Sequence, residues 1–440
     1  MRKRILILAG LCLLCFAACK KDAPQGTVTG EPGKEESKGV STTFSAKDYN
    51  QDEESVWMTE HGYYYYSYSH GGFRYVDGAT GTEMYLCNKP ECKHDGNAFC
   101  VATNDKYTVL GTQLYSGRIV ANVVEETDTQ YLYKLLDIAP DGSMANEIVT
   151  YYTLEKTGAA KVVLHGAGGI LIHRNKAMLP MLAGGVESLE DTKYCGCAIV
   201  DLNTKEVAYL DEVPFAKENA EVTDISAFGD YIYYCRKEGK KTVLHRYHIG
   251  NGTDETHKLL VGFGGEYCIP DEEHVVYLKS TGRDLCVYSY ATGENEEKLK
   301  LMGTKTFFLQ DGTTMESEEA YTAVGVQTDG DYFYVAEQSY TTMSKNSVTG
   351  ETEEKNYARV YVYDREFESV TVLNLAEERN RLLQEGETKI YGAHTELTYL
   401  GDKIYWVLSN GVDTQYMMTC EKNGFLAGTP EFQLIYTIGK

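Results

Sequence analysis

The sequence predicts an all-β fold, a β-propeller of about seven four-stranded antiparallel blades, over residues 49–440. Three observations lead there. From about residue 55 the chain is rich in Tyr, Val, Ile and Leu, in short runs broken by Gly, Asp, Asn and Thr, the composition of strands and turns. A turn–strand–turn–strand unit recurs from near residues 61, 112, 165, 228, 271, 328 and 400, a mean spacing of about 56 residues. Strands such as Tyr231–Cys235 are apolar at successive positions, so both of their faces must be covered. Blades stacked face to face cover both; an open sandwich covers one. The copies near 112 and 165 are weak, so six or eight blades also fit the spacing.

The chain opens differently. Residues 1–18 begin with Arg2, Lys3 and Arg4, continue through an apolar run of about a dozen residues, and end in small residues, as an export signal does. The run is too short to favour a spanning helix. Cys19 stands directly at the junction. Residues 19–48 are dominated by Gly, Pro, Ser, Thr and charges, and such a segment cannot bury enough surface to offset its chain entropy. It reads as a flexible tether.

Each unit then has two halves. The first is a turn and a strand ending in Tyr: His61–Tyr65, Gly229–Tyr233, Gly330–Tyr334 and Gly401–Tyr405, with Glu273–Tyr277 a looser copy. The second is a strand, a polar turn and another strand. Arg74–Gly81 leads to Met84–Leu86, Ala198–Lys205 to Val207–Leu210, Val287–Gly293 to Leu299, and Val360–Asp364 to Val370–Leu373; Leu135–Gly142 is a further copy. Gly and Asp supply the turn geometry, and the β-branched and aromatic residues the strands. Helical periodicity is almost absent. Leu375, Leu382 and Leu383 share a face at helical spacing, so one short helix is predicted over 375–385. Thr42–Ala46 are expected to pair with Phe432–Ile438, which would remove two exposed edges.

Charge and cysteines narrow the function classes. The net charge is −23, and losing Arg2, Lys3 and Arg4 takes it to −26, a balance that repels phosphate backbones and argues against nucleic acid as a partner. Of twelve cysteines, Cys12 and Cys15 leave with the signal and Cys19 is set apart, so nine remain. An odd number cannot all pair internally, which argues against a full disulfide framework and fits small buried core residues.

The sharpest local signal is Cys87-x4-Cys92-x-His94-x5-Cys100, broken by Pro90 and Gly96. Three thiolates and an imidazole are ligands zinc accepts in a tetrahedral site. The same residues also allow a disulfide between two of the cysteines with His94 solvated, or free thiols. In each case the segment would fix a loop rather than catalyse, because four protein ligands leave zinc no open position. Cys195-Gly196-Cys197 lacks the two-residue spacing of redox pairs and reads as core. Tyr63–Tyr66 and Tyr68, near His70, and Tyr231, Tyr233 and Tyr234 suit stacking on sugars or peptides, but the repeat assigns most of them to blade packing.

No G-x-S-x-G elbow, phosphate loop or acidic Ca²⁺ loop occurs. His165–Gly169 reads as a turn, and only Trp57 and Trp406 are tryptophans. Acidic residues Glu125, Glu126, Glu218, Glu221, Glu272, Glu273, Glu353 and Glu354 sit mostly where solvation is the default role, and their spacing names no catalytic pair.

The junction Phe16-Ala17-Ala18-Cys19 resembles the lipobox of bacterial lipoproteins, with Phe16 where that family usually has Leu. The resemblance implies cleavage before Cys19 and lipidation of its thiol. The repeat from about residue 55 onward resembles bacterial propeller lipoproteins, similar to TolB-like and quinoprotein-like propellers. Many of these belong to gut anaerobes, and the likeness implies architecture rather than activity. Together the expectation is a lipoprotein on the outer face of a bacterial membrane. Its propeller would bind a small ligand, glycan or protein partner without catalysis. The rival readings are a propeller enzyme acting on extracellular glycan and an assembly subunit of an envelope complex.

Overall fold

The computed structural model describes residues 56–59, 62–67, 71–96, 100–156, 160–161, 169–185, 192–210, 222–238, 241–256, 262–308, 313–345, 352–376, 396–400, 402–409 and 415–438. Residues 1–55, and with them the expected signal, Cys19 and the expected tether, lie outside these residues. The described part is all-β, with seven four-stranded antiparallel blades, the complement of a seven-bladed β-propeller. It divides into two compact units at Thr223/Asp224.

The first unit holds three blades. Blade 1 is β1 (Val56–Thr59), β2 (Gly62–Tyr66), β3 (Phe73–Asp77) and β4 (Glu83–Tyr85). Blade 2 is β5 (Tyr107–Tyr115), β6 (Arg118–Glu126), β7 (Gln130–Ile138) and β8 (Ala145–Glu155). The short β9 (Ala160–Lys161) pairs with the end of β11 in blade 3, which is β10 (Leu171–His173), β11 (Lys176–Gly185), β12 (Thr192–Asp201) and β13 (Val207–Tyr209).

The second unit holds four. Blade 4 is β14 (Val222–Phe228), β15 (Tyr231–Glu238), β16 (Lys241–His248) and β17 (Asp254–Thr256). Blade 5 is β18 (Phe263–Asp271), β19 (His274–Lys279), β20 (Asp284–Ser289) and β21 (Asn295–Lys300). A separate hairpin follows, β22 (Met302–Phe308) with β23 (Thr314–Ala320). Blade 6 opens with β24 (Ala323–Thr328) and β25 (Tyr332–Glu337), is interrupted by the hairpin β26 (Tyr340–Lys345) and β27 (Thr352–Tyr357), and resumes with β28 (Arg359–Asp364) and β29 (Ser369–Asn374). Blade 7 is β30 (Glu396–Leu400), β31 (Lys403–Ser409), β32 (Gln415–Glu421) and β33 (Gln433–Ile438).

The recurring halves map onto fixed places in a blade. The Tyr-ended copies become second strands β2, β15, β19, β25 and β31, and the strand–turn–strand copies become the hairpins of third and fourth strands. The reason for two apolar faces is visible in β19. Val275 and Tyr277 pack with Phe228 and Tyr233 of blade 4, while Val276 and Leu278 pack with Val326 and Phe333 of blade 6. Alternate side chains thus serve two neighbours, each fully buried large side chain contributing ~1.5–3 kcal/mol. Fourth strands have one neighbour fewer; β21 is exposed at nearly every position.

Polar contacts tie successive blades at the turn between first and second strands. Tyr115 Oη donates to Asn175 Oδ1 (3.0 Å) and accepts the Asn175 N–H (2.9 Å), joining blades 2 and 3. Arg246, held between the rings of Tyr231 and Tyr290 and paired to Glu255 at 2.6 Å, reaches the Glu272 carbonyl of blade 5. Arg365 of blade 6 donates to Gly330 O (2.6 Å) and pairs with Asp271 of blade 5 (3.2 Å).

Two expectations fall partly or wholly outside the described residues, and one element was not foreseen. The predicted helix over 375–385 begins at Leu375–Ala376, and its remainder lies outside the described residues. A helix not foreseen, α1 (Lys422–Leu426), links β32 to β33 and buries Phe425 beside Trp406 and Phe432. Blade 7 draws all four strands from residues 396–438, with β33 its outermost; Thr42–Ala46 lie outside the described residues.

Candidate metal centre

After β4 the chain leaves blade 1 at buried Leu86 and returns to start β5 at Tyr107. The connection is built of turns. The Cys92 N–H donates to Lys89 O (3.1 Å), closing a β-turn with Pro90 at the position its fixed φ favours. His94 and Gly96 take left-handed backbone, at φ 52 and 85. The Gly96 N–H donates to Thr103 Oγ1 (3.3 Å) and the Asp105 N–H to Gly96 O (3.0 Å), folding the loop back on itself. Its far end is pinned to β3 by the Phe73 N–H donating to Ala102 O (2.9 Å). Its near end lies against the turn after β7, where a Cβ on Gly142 would stand 2.5 Å from the Leu86 carbonyl carbon and 2.6 Å from the Cys87 nitrogen.

These turns bring Cys87, Cys92, His94 and Cys100 together, with one ligand atom of each lying within 4.8 Å of all the others. This is wider than the roughly 4 Å that a closed tetrahedral site implies. His94 Nδ1 is 3.4 Å from Cys100 Sγ. Cys100 is buried, the other three are half-buried, and all three cysteines are thiols.

The surroundings orient the set. The His94 ring stacks on Tyr85, centroids 4.3 Å apart and planes 21° from parallel, and the Arg74 guanidinium lies 3.5 Å from the same Tyr85 centroid. Two planar groups that close must take opposite faces, so the phenol is sandwiched. Burial pushes the Cys87 thiol up to about 11. Burial opposes ionisation of Cys100 too, but hydrogen bonds from Thr103, His94 and Cys92 outweigh it and bring that thiol down to about 6.

Tyr85, Arg74 and Thr103 escaped sequence reasoning. Only the position of Tyr85, two residues before Cys87, hinted at a ring beside the motif.

The other candidates are placed as follows. Cys197 is buried in β12, and the Cys195 side chain lies outside the described residues. Tyr64, Tyr65, Tyr233 and Tyr234 are buried among the blades; Tyr68 and His70 lie outside the described residues. Glu125 pairs with Lys134 (2.9 Å) and Lys106 (3.1 Å). Glu272 is buried, its carboxylate near the Asp230 amide (3.4 Å); Glu218 and Glu221 lie outside the described residues.

No protein-family model matches this sequence, and no curated protein matches it. Solved structures do. A prolyl endopeptidase is similar over 88% of this chain and 50% of its own, at 10% identity and TM-score 0.49. A europium-containing methanol dehydrogenase is similar over 91% and 80%, at 10% identity and TM-score 0.39. A putative TolB from Agrobacterium tumefaciens is similar over 57% and 79%, at 12% identity and TM-score 0.32. The chain spans half the length of the prolyl endopeptidase it matches.

Proposed function

We propose that this protein is a lipid-anchored binding propeller of the bacterial cell envelope, held by Cys19 on the outer face of the membrane and engaging a protein partner rather than converting a substrate. The observation that carries the reading is the pair of hairpins β22–β23 and β26–β27. Neither belongs to a four-stranded blade, and additions to a rigid repeat are where function is grafted. The first exposes Met302 (40%), an adaptable apolar side chain, on the same face as exposed Glu316 and Glu318, and Met315 (49%) on its other face. The second carries Glu353 and Glu354. The partner surface would be basic with an apolar contact for Met302. Arg246 with Glu255 inside blade 4, and Arg365 with Asp271 between blades 6 and 5, are committed to holding the blades together, in keeping with a scaffold.

The test has two arms. Fatty-acid labelling and membrane fractionation of the natural chain and of Cys19→Ala should show label and membrane association lost in the variant; retention of both would end the anchoring claim. A photo-crosslinker at Met302 in living cells should trap one discrete adduct, abolished by Glu316→Lys with Glu318→Lys, and one at Met315 on the opposite face should not. Turnover of an oligosaccharide by the purified protein would favour the glycan-acting enzyme instead.

A further inference from the structure

We infer that Cys87, Cys92, His94 and Cys100 hold one zinc ion, as a closed structural site that clasps the connection between blade 1 and blade 2. The inference stands on donor set, distance and the composition of the loop.

The distances are nearly those of a loaded site. With Zn–S of about 2.3 Å and Zn–N of about 2.0–2.1 Å, a tetrahedron has sulfur–nitrogen edges of about 3.5 Å and sulfur–sulfur edges of about 3.8 Å. The Nδ1–Sγ separation of His94 and Cys100 is 3.4 Å, one such edge already formed. The ligand atoms all lie within 4.8 Å of one another, so the widest pair needs to close by about 1 Å. Three sulfurs and one imidazole are a soft set that suits zinc over magnesium or calcium, which take oxygen.

The surroundings orient the histidine ligand. Tyr85 stacks on the His94 ring, centroids 4.3 Å apart, and fixes the plane of the imidazole. His94 holds a left-handed backbone, φ 52, uncommon for a residue with a Cβ and tolerated where the surroundings dictate the conformation.

Backbone hydrogen bonds fold the loop, but most of its side chains between Cys87 and Gly96 bury little. Asn88, Lys89, Pro90, Glu91, Lys93 and Asp95 are all exposed, so the segment has no apolar core to offset its ordering. A four-coordinate ion replaces that core. With four protein ligands the site leaves no position for substrate, so its role is mechanical.

The full-length chain, purified anaerobically in detergent, should contain about one zinc per chain by elemental analysis. Replacing zinc by Co²⁺ should give sulfur-to-cobalt charge-transfer absorption and the intense visible bands of tetrahedral cobalt. Cys92→Ser should lose the metal and that absorption, while His94→Cys should keep the metal and strengthen the charge-transfer band, since a fourth thiolate restores the site. The His94→Cys arm keeps the inference testable if Cys92→Ser fails to fold. Protein without zinc that takes up no cobalt, iron in place of zinc, a disulfide among the three cysteines as isolated, or zinc retained undiminished in Cys92→Ser would each overturn it.

Discussion

Lys422 Nζ lies 2.6 Å from Asp329 Oδ2, with only 17% and 9% of the two side chains exposed, and this contact joins blade 7 to blade 6. Asp329 is otherwise engaged by its own turn. Its Oδ1 accepts the N–H groups of Asp331 and Tyr332, and its Oδ2 also accepts the Tyr334 hydroxyl at 2.7 Å. The carboxylate therefore organises the blade 6 turn and receives a cation from the next blade.

Removing that cation strands a buried charge. Lys422→Met should destabilise the protein by about 2–4 kcal/mol in urea unfolding. Combined with Asp329→Asn it should cost less than the sum of the two single changes, because the second change removes the stranded charge. Simple additivity would show that the pair is not coupled.

The acid response should centre on Lys134. Burial acts to raise Glu125, but Lys134 and Lys106 hold its carboxyl below the usual range. Lys134 also holds Glu147 low, and burial of Lys134 itself is outweighed by these two carboxylates, which raise it. A depressed carboxyl stabilises above its unfolded value of about 4.3 and loses that contribution as pH falls through the folded value. A raised lysine stabilises below about 10.4 and loses it as pH rises through the folded value. The network thus operates in full between roughly pH 5 and 10. Glu125→Gln should cost about 1–2 kcal/mol at neutral pH, a difference that shrinks toward zero as the urea midpoints are compared at about pH 3.

Gly142 sits at φ 66 with no room for a side chain against the backbone of Leu86 and Cys87. Gly142→Ala should therefore cost about 1–3 kcal/mol, from left-handed strain and a forced backbone shift. Calorimetry should show the lower melting temperature, and limited proteolysis should show faster cutting between Cys87 and Cys100. Unchanged proteolysis would mean that the loop does not rest on this turn.

Trp406 is 1% exposed and packs against Phe432, at a ring separation of 5.1 Å, among residues of blades 6 and 7. Trp406→Ala should cost about 3–5 kcal/mol, and Trp406→Phe should recover more than half of it by refilling volume. An alanine variant as stable as the natural chain would mean that the site collapses without a cavity.

Much of this was written in the order of residues. Gly-Asp turns, Tyr-ended strands and doubly apolar runs such as Tyr231–Cys235 carry the strand period and the need for two covered faces, so they specify blades and their internal order, and leave the count between six and eight. Cys87, Cys92, His94 and Cys100 are near neighbours in sequence, and their donor chemistry is legible without coordinates. Tertiary structure decided what depends on residues far apart in the chain. Lys422 and Asp329 are separated by most of two blades, so nothing local marks either as half of a buried pair. Glu125 reads as a solvated acid until Lys134 on the adjacent strand is seen to meet it. Tyr85 becomes the rest for His94 only because the loop after β4 doubles back over the strand it has just left. Local pattern fixes which faces are apolar and which atoms can bind; only the folded chain sets which charge, ring or sulfur stands within a few ångströms of which.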